Sequence, residues 1–155
     1  MQQKTLCFLC SGNEVLLGFK KRGFGAGNYV GIGGTVEAGE TVLETAVREL
    51  YEETGIVAQP ADFAAKGHIT FQFPAKPGWN QQVHLFLLKQ WQGEPQETDE
   101  IRPSWVAQSE IPFELMWDDA RYWLPHLLRG ESLVGRFVFD AGGTAVVEWE
   151  LQEKG

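Results

Sequence analysis

The sequence predicts an α/β or α+β sandwich, with a mixed β-sheet lying between helices. Three features support this: a capped amphipathic helix over residues 41–54, short apolar strand patterns on both sides of it, and a segment, 83–88, that is apolar on both faces apart from His84. A chain of 155 residues can bury a core without disulfides or a structural metal. With no repeat, low-complexity tract or dividing linker, residues 1–155 read as one domain.

Residues 5–10 and 14–19 read as two strands joined by Ser11, Gly12 and Asn13. Seven of the eighteen glycines then fall within seventeen positions, 23–39, so this backbone turns tightly or approaches something closely. In the helix that follows, Thr41 and Glu44 form a capping-box pattern, and Gly55 supplies the C-terminal stop. Leu43, Ala46, Val47 and Leu50 make its apolar stripe. Residues 68–73 alternate, with Ile69, Phe71 and Phe73 on one face. A second helix is expected over 118–128, bent or interrupted near Pro125. Segments 136–140 and 145–151 form a final hairpin.

Thirteen Lys and Arg against twenty-one Asp and Glu give a net charge of −8, which argues against a duplex nucleic-acid reader or a polybasic membrane binder. The charge is uneven. Lys4, Lys20, Lys21 and Arg22 make the first stretch basic, whereas 37–53 and 94–119 are strongly acidic. Cys7 and Cys10 have C-x-x-C spacing, but on a strand they face opposite sides and read as two buried free thiols. No segment has signal-peptide or membrane-spanning character, so the expected setting is the cytoplasm, and the expected state a monomer. His68, His84 and His126 lack ligand spacing and receive no role.

Glu49, Glu52 and Glu53 stand at i, i+3 and i+4, on one side of the first helix. Three glutamates alone fit a solvated acidic face. They also fit an oxygen-only site for Mg²⁺ or Mn²⁺, which share their shell with substrate phosphates. Their context decides between these. From Gly34 the chain satisfies G-x5-E-x7-R-E-U-x-E-E-x-G-U (U, aliphatic) at Gly34, Glu40, Arg48, Glu49, Leu50, Glu52, Glu53, Gly55 and Ile56.

This motif resembles the Nudix box. The resemblance implies the Nudix α/β/α sandwich and Mg²⁺-dependent hydrolysis of a nucleoside diphosphate linked to another group. It implies that Glu49, Glu52 and Glu53, with the Gly33 carbonyl, hold the metal, that Arg48 orients the glutamates, and that Glu40 supports the helix start. Either Glu52 or Glu53 would take the proton from the attacking water. Glu100 is a further ligand or base, or an exposed loop acid.

Beyond the box, segments 16–27, 99–103, 111–113, 116–117 and 122–125 are similar to the oxidised-purine nucleoside triphosphate hydrolases, the MutT-like 8-oxo-dGTP diphosphatases. That group sanitises the nucleotide pool by releasing the monophosphate and pyrophosphate. The likeness places Lys20 near the phosphates and Thr5 on the sugar or base side. Phe24, Phe71, Phe73 and Trp117 become walls of a base pocket, although Phe71 and Phe73 fit core packing equally well. Two positions depart from the group: Val30 stands where it has Asn, and Ala120 where it has the second of two acids, leaving Asp119 with Asp118 beside it. Either aspartate would serve the base or cap the second helix. Two other functions share these features: a Nudix hydrolase of other or unmodified nucleotides, and a silent nucleotide-binding module.

Overall fold

The structure, a computed structural model, describes residues 1–154. The strands are β1 (Gln2–Ser11), β2 (Glu14–Lys20), β3 (Tyr29–Val30), β4 (Ala64–Gln72), β5 (Gln81–Leu88), β6 (Ile101–Ala107), β7 (Ser132–Phe139) and β8 (Val146–Lys154), and the helices are α1 (Val42–Thr54) and α2 (Ala120–Leu128). Five strands run in the spatial order β1-β5-β4-β7-β8. β1 and β5 are parallel, as are β4 and β7, while β4/β5 and β7/β8 are antiparallel. The sheet is therefore mixed, as expected.

The two faces of this sheet carry separate cores. On one, Val83, Leu85 and Leu87 of β5 pack with Trp123, Leu124 and Leu127 of α2. On the other, Phe86 and Leu88 pack with Ala46 and Leu50 of α1. Burial on both faces is why Val83–Leu88 is apolar apart from His84. Cys7 and Cys10 do lie on opposite faces and are free, but only Cys7 is fully buried; Cys10 is half-buried.

α1 follows its sequence signals. The Thr41 hydroxyl accepts the Glu44 N–H at 3.1 Å, and the Glu44 carboxylate accepts the Thr41 N–H at 2.9 Å. Gly55 closes the helix in the left-handed region, φ 77°. α2 corrects two expectations. It starts at Ala120 rather than 118, and it runs through Pro125 without a break. Trp123, Leu124 and Leu127, buried against the α2-side core, hold the helix across the bond that Pro125 cannot make.

Two strands were not expected. β6 pairs antiparallel with β2 along its length, with Pro103 opposite Gly18. Arg102, Pro103 and Ser104 break any apolar alternation, and a proline is tolerated here because β6 pairs only with β2. β3 has only two residues, in the glycine-dense stretch. Beyond it, the chain runs antiparallel to β1. Thr5 N–H donates to the Gly34 carbonyl at 2.9 Å, and Cys7 and Ile32 exchange bonds of 2.6 and 3.0 Å. A side chain at Gly33 would collide with the Thr5 carbonyl, so glycine permits this contact. Among the described residues no helix is long and apolar enough to cross a membrane.

Thr41→Ala removes one half of the capping box and is expected to cost about 1 kcal/mol in chemical denaturation. Thr41→Ser, which keeps the hydroxyl, should stay close to the wild-type midpoint.

Candidate active site

α1 turns its apolar stripe to the sheet and leaves its acids on the other side. Arg48 holds them. Its guanidinium donates to both Glu40 oxygens, at 2.6 and 3.0 Å, to Glu49 at 2.8 Å and to Glu52 at 3.1 Å. It also reaches the Thr35 carbonyl at 3.3 Å. Glu40 receives the Thr45 hydroxyl at 2.6 Å as well. Bonding to Arg48 and Thr45 holds the Glu40 carboxyl down at about 2. Glu40 therefore anchors the arginine, a more specific part than general support at the helix start.

Glu49 lies directly beneath Gly34, where any side chain would strike its carboxylate. Glu53 is buried, and Glu52 is exposed. Burial raises the proton affinity of Glu53, and the neighbouring Glu49 charge raises it further. Burial also raises that of Glu49, against the opposing pull of Arg48.

Glu49, Glu52 and Glu53 line an acidic cavity with Thr98, Asp99 and Glu100 from the β5–β6 connection. The Thr98 hydroxyl donates to the Glu53 carbonyl at 3.1 Å and ties that connection to the helix end. Glu100 is thus brought to the Nudix-type glutamates, with Arg22 at 3.6 Å on its outer side. The donors are oxygens only; no Cys or His lines the cavity. Such a set, crowded and only partly neutralised by Arg48, fits a hard divalent cation.

A second, mainly apolar pocket adjoins the first on the α2 side of the sheet. Gly33, Gly34 and Glu53 line its inner end, with Lys20 and Thr5. Gly33 therefore faces this pocket rather than the acidic cavity, whereas Glu53 borders both. Phe24, Phe71, Phe73 and Trp117 all form walls. Phe24 packs on Trp117 with centroids 5.1 Å apart, and Phe73 stacks on Phe139 at 4.8 Å. Phe71 and Phe73 also belong to the α2-side core, so each lines the pocket and packs in the core at once.

The two aspartates separate. Asp119 lines the pocket, buried, and accepts the Trp123 indole N–H at 2.7 Å. Burial pushes its carboxyl up to about 6, against that hydrogen bond. Asp118 does not line the pocket; it accepts the Val146 N–H at 2.8 Å and pairs with Arg121 at 3.1 Å. Neither side chain caps α2. Of the basic residues, Lys4 and Lys20 line the pocket, Lys4 with its ammonium 4.9 Å from the centre of the Phe24 ring. Lys21 pairs with Glu97, and Arg22 lies against Glu100.

Sequence reasoning missed Trp79 and Gln81. Trp79 packs edge-on against Phe24 at 5.0 Å and Phe73 at 5.5 Å, buttressing those two walls from the β4–β5 loop. Its only signal was a tryptophan in a Pro- and Gly-containing turn.

The chain matches the NUDIX domain over residues 2–127. It is similar to the oxidized purine nucleoside triphosphate hydrolase of Mus musculus, 40% identical over 149 residues, covering 96% of this chain and 93% of that protein. The protein of the same description from Danio rerio is 41% identical over 149 residues, with the same coverage. The crystal structure of a mutator MutT protein from Bacillus halodurans aligns with a TM-score of 0.81 at 27% identity, covering 97% of each chain.

The raised proton affinity of Glu53 has a signed consequence. Without metal, the folded state keeps a proton that the unfolded chain releases above its ordinary carboxyl range. Stability therefore falls as pH rises from that range toward the elevated folded value. In EDTA the wild type should lose melting temperature between pH 6 and pH 8. Glu53→Gln should lose much less over the same interval, and parallel losses would contradict the assignment.

Proposed function

The chain belongs to the Nudix hydrolase family, and we propose that it hydrolyses oxidised purine nucleoside triphosphates, such as 8-oxo-dGTP, to the monophosphate and pyrophosphate. The observation that carries this reading is Glu53, which borders both the acidic cavity and the aromatic pocket. A nucleotide with its base between aromatic walls would extend its phosphates past Lys20 toward the carboxylates. The relatives described as oxidized purine nucleoside triphosphate hydrolases, similar over nearly the whole chain, support the same substrate class.

Each residue then has a part. Flat aromatic walls stack on a purine, a contact worth about 1–3 kcal/mol per base. Lys20 faces the pocket beside Glu53 and meets phosphate charge. Glu49, Glu52 and Glu53, with Glu100 and the carbonyl of Gly33, would hold Mg²⁺, or Mn²⁺ in its place. The bound ion neutralises phosphate oxygens and makes a water easier to deprotonate. Arg48 keeps the Glu49 and Glu52 carboxylates aimed and does not itself meet the substrate. We assign the base to Glu53, whose carboxylate borders both cavities and takes the proton of the attacking water. Asp119 supplies a polar group at the base end of the pocket. The free thiols Cys7 and Cys10 suit a reducing compartment, the cytoplasm.

A second reading has its own observation. Val30 and Ala120 line the pocket with no polar side-chain atom, so the site would accept other purine triphosphates by shape.

The test is pyrophosphate release across a nucleotide panel, with and without Mg²⁺. The expected result is Mg²⁺-dependent release, fastest for 8-oxo-dGTP. Cleavage of 8-oxo-dGTP no faster than dGTP would favour the second reading, and no release from any nucleotide would overturn both. Glu53→Gln should lower kcat by roughly 10²–10⁴-fold with KM nearly unchanged; equal losses in kcat and binding would remove it as the base.

A further inference from the structure

We propose that Gln81 reads the purine edge at N7, and that its amide oxygen separates an 8-oxopurine from the unmodified base. The proposal rests on the reading that this site cleaves oxidised purine triphosphates. Gln81 opens β5, and by strand alternation its side chain shares the face of Val83, Leu85 and Leu87. It is the polar end of an apolar row, placed where the α2-side core opens into the pocket it lines.

The side chain is only 8% exposed, and its orientation is fixed. Nε2 donates to the Trp79 carbonyl at 3.1 Å. The opposite orientation would set two acceptor oxygens against each other, so Oε1 must be the atom turned away from Trp79. Trp79 cannot readily yield, since its ring is wedged between Phe24 and Phe73. The Asn80 amide oxygen pins the same turn by accepting the Phe73 N–H at 2.7 Å. Among the described residues nothing donates to Gln81 Oε1, yet no fully shielded side-chain nitrogen or oxygen lacks a partner. Oε1 is therefore not fully shielded and, on a side chain that lines the pocket, it is an acceptor without a protein donor. Asp119, which lines the same pocket, has one carboxylate oxygen engaged by the Trp123 indole N–H at 2.7 Å and its other oxygen left for another part of the base edge.

The chemistry of the base supplies the donor. Unmodified guanine presents N7 and O6 as acceptors only. An oxo group at C8 places a proton on N7 and turns it into a donor. Oε1 accepts that N7–H, whereas with guanine it faces a lone pair and stays unsatisfied in a site shielded from water.

The experiment compares kcat/KM for dGTP, 8-oxo-dGTP and 7-deaza-dGTP in the wild type and in Gln81→Met, with melting curves as a folding control. In the wild type, 7-deaza-dGTP, which has C–H in place of the N7 lone pair, should be cleaved faster than dGTP and more slowly than 8-oxo-dGTP. Gln81→Met should lower kcat/KM for 8-oxo-dGTP by roughly tenfold and raise that for dGTP, because it removes the oxygen that faces the N7 lone pair; together these changes erase most of the preference. If the variant keeps the preference, or loses both substrates equally, Gln81 is not the reader although the substrate reading stands. If the wild type has no preference for 8-oxo-dGTP, that reading fails and the proposal with it. Should Gln81→Met not fold, the wild-type comparison decides alone: 7-deaza-dGTP cleaved no faster than dGTP overturns the proposal.

Discussion

The site depends on one cation, Arg48. Carboxylates at i, i+3 and i+4 on a helix repel, and Glu49 and Glu53 do so partly out of water, where the repulsion is stronger. Arg48 lies between the helix and the loop before it, with its fork on Glu40 and its remaining donor on Glu49 and Glu52. Its own position is set from outside the acidic cluster, because Glu40 is bound in turn by the Thr45 hydroxyl and the Glu37 N–H. A lysine could not replace it, since a single ammonium cannot present a planar fork to one carboxylate while reaching two more. The cluster is thus held without being neutralised, as a cation-binding site requires.

That arrangement reaches the sheet through glycine. The Glu49 carboxylate keeps its position beneath Gly34 because that residue has no side chain, and the strand segment carrying Gly34 approaches β1 only because Gly33 has none. Thr5 on β1 meets Gly34 through its backbone, with its hydroxyl at 3.5 Å from the Gly34 nitrogen. The acidic cavity on the α1 side and the aromatic pocket on the α2 side therefore meet at Glu53, with Gly33 and Gly34 lining the pocket side of that junction. Few other residues would let a carboxylate on one face act on a group bound at the other.

What could be read from the sequence was what depends on neighbours along the chain. The capping box, the stop at Gly55 and the nine box positions all lie within 23 residues, so their spacing encodes their geometry. β5 was legible because burial on both faces leaves a purely local apolar signature. β6 was not, because its strand character comes from pairing with β2 and not from its own residues. Lys21 and Arg22 read in sequence as part of a free basic stretch, but the fold brings Glu97 and Glu100 to them. Asp118 and Asp119 are adjacent in sequence, but one turns to β8 and the other into the pocket, a choice made by Val146 and Trp123. Trp79 and Gln81 acquire meaning only once the β4–β5 turn is folded back onto Phe24 and Phe73.

The distribution of charge closes the physical case for a polyanionic substrate on an acidic protein. Two cations of the basic loop are paired, Lys21 with Glu97 and Arg22 with Glu100, and these pairs cancel part of the acidity of the β5–β6 connection. Lys4 and Lys20 escape that cancellation and line the pocket, Lys20 beside Glu53. The acids of α1 have only Arg48 among them, already divided between partners. A free triphosphate would meet net repulsion there, and a divalent cation net attraction. The two become compatible only together, so the residual charge favours a substrate that arrives with its metal over either species alone.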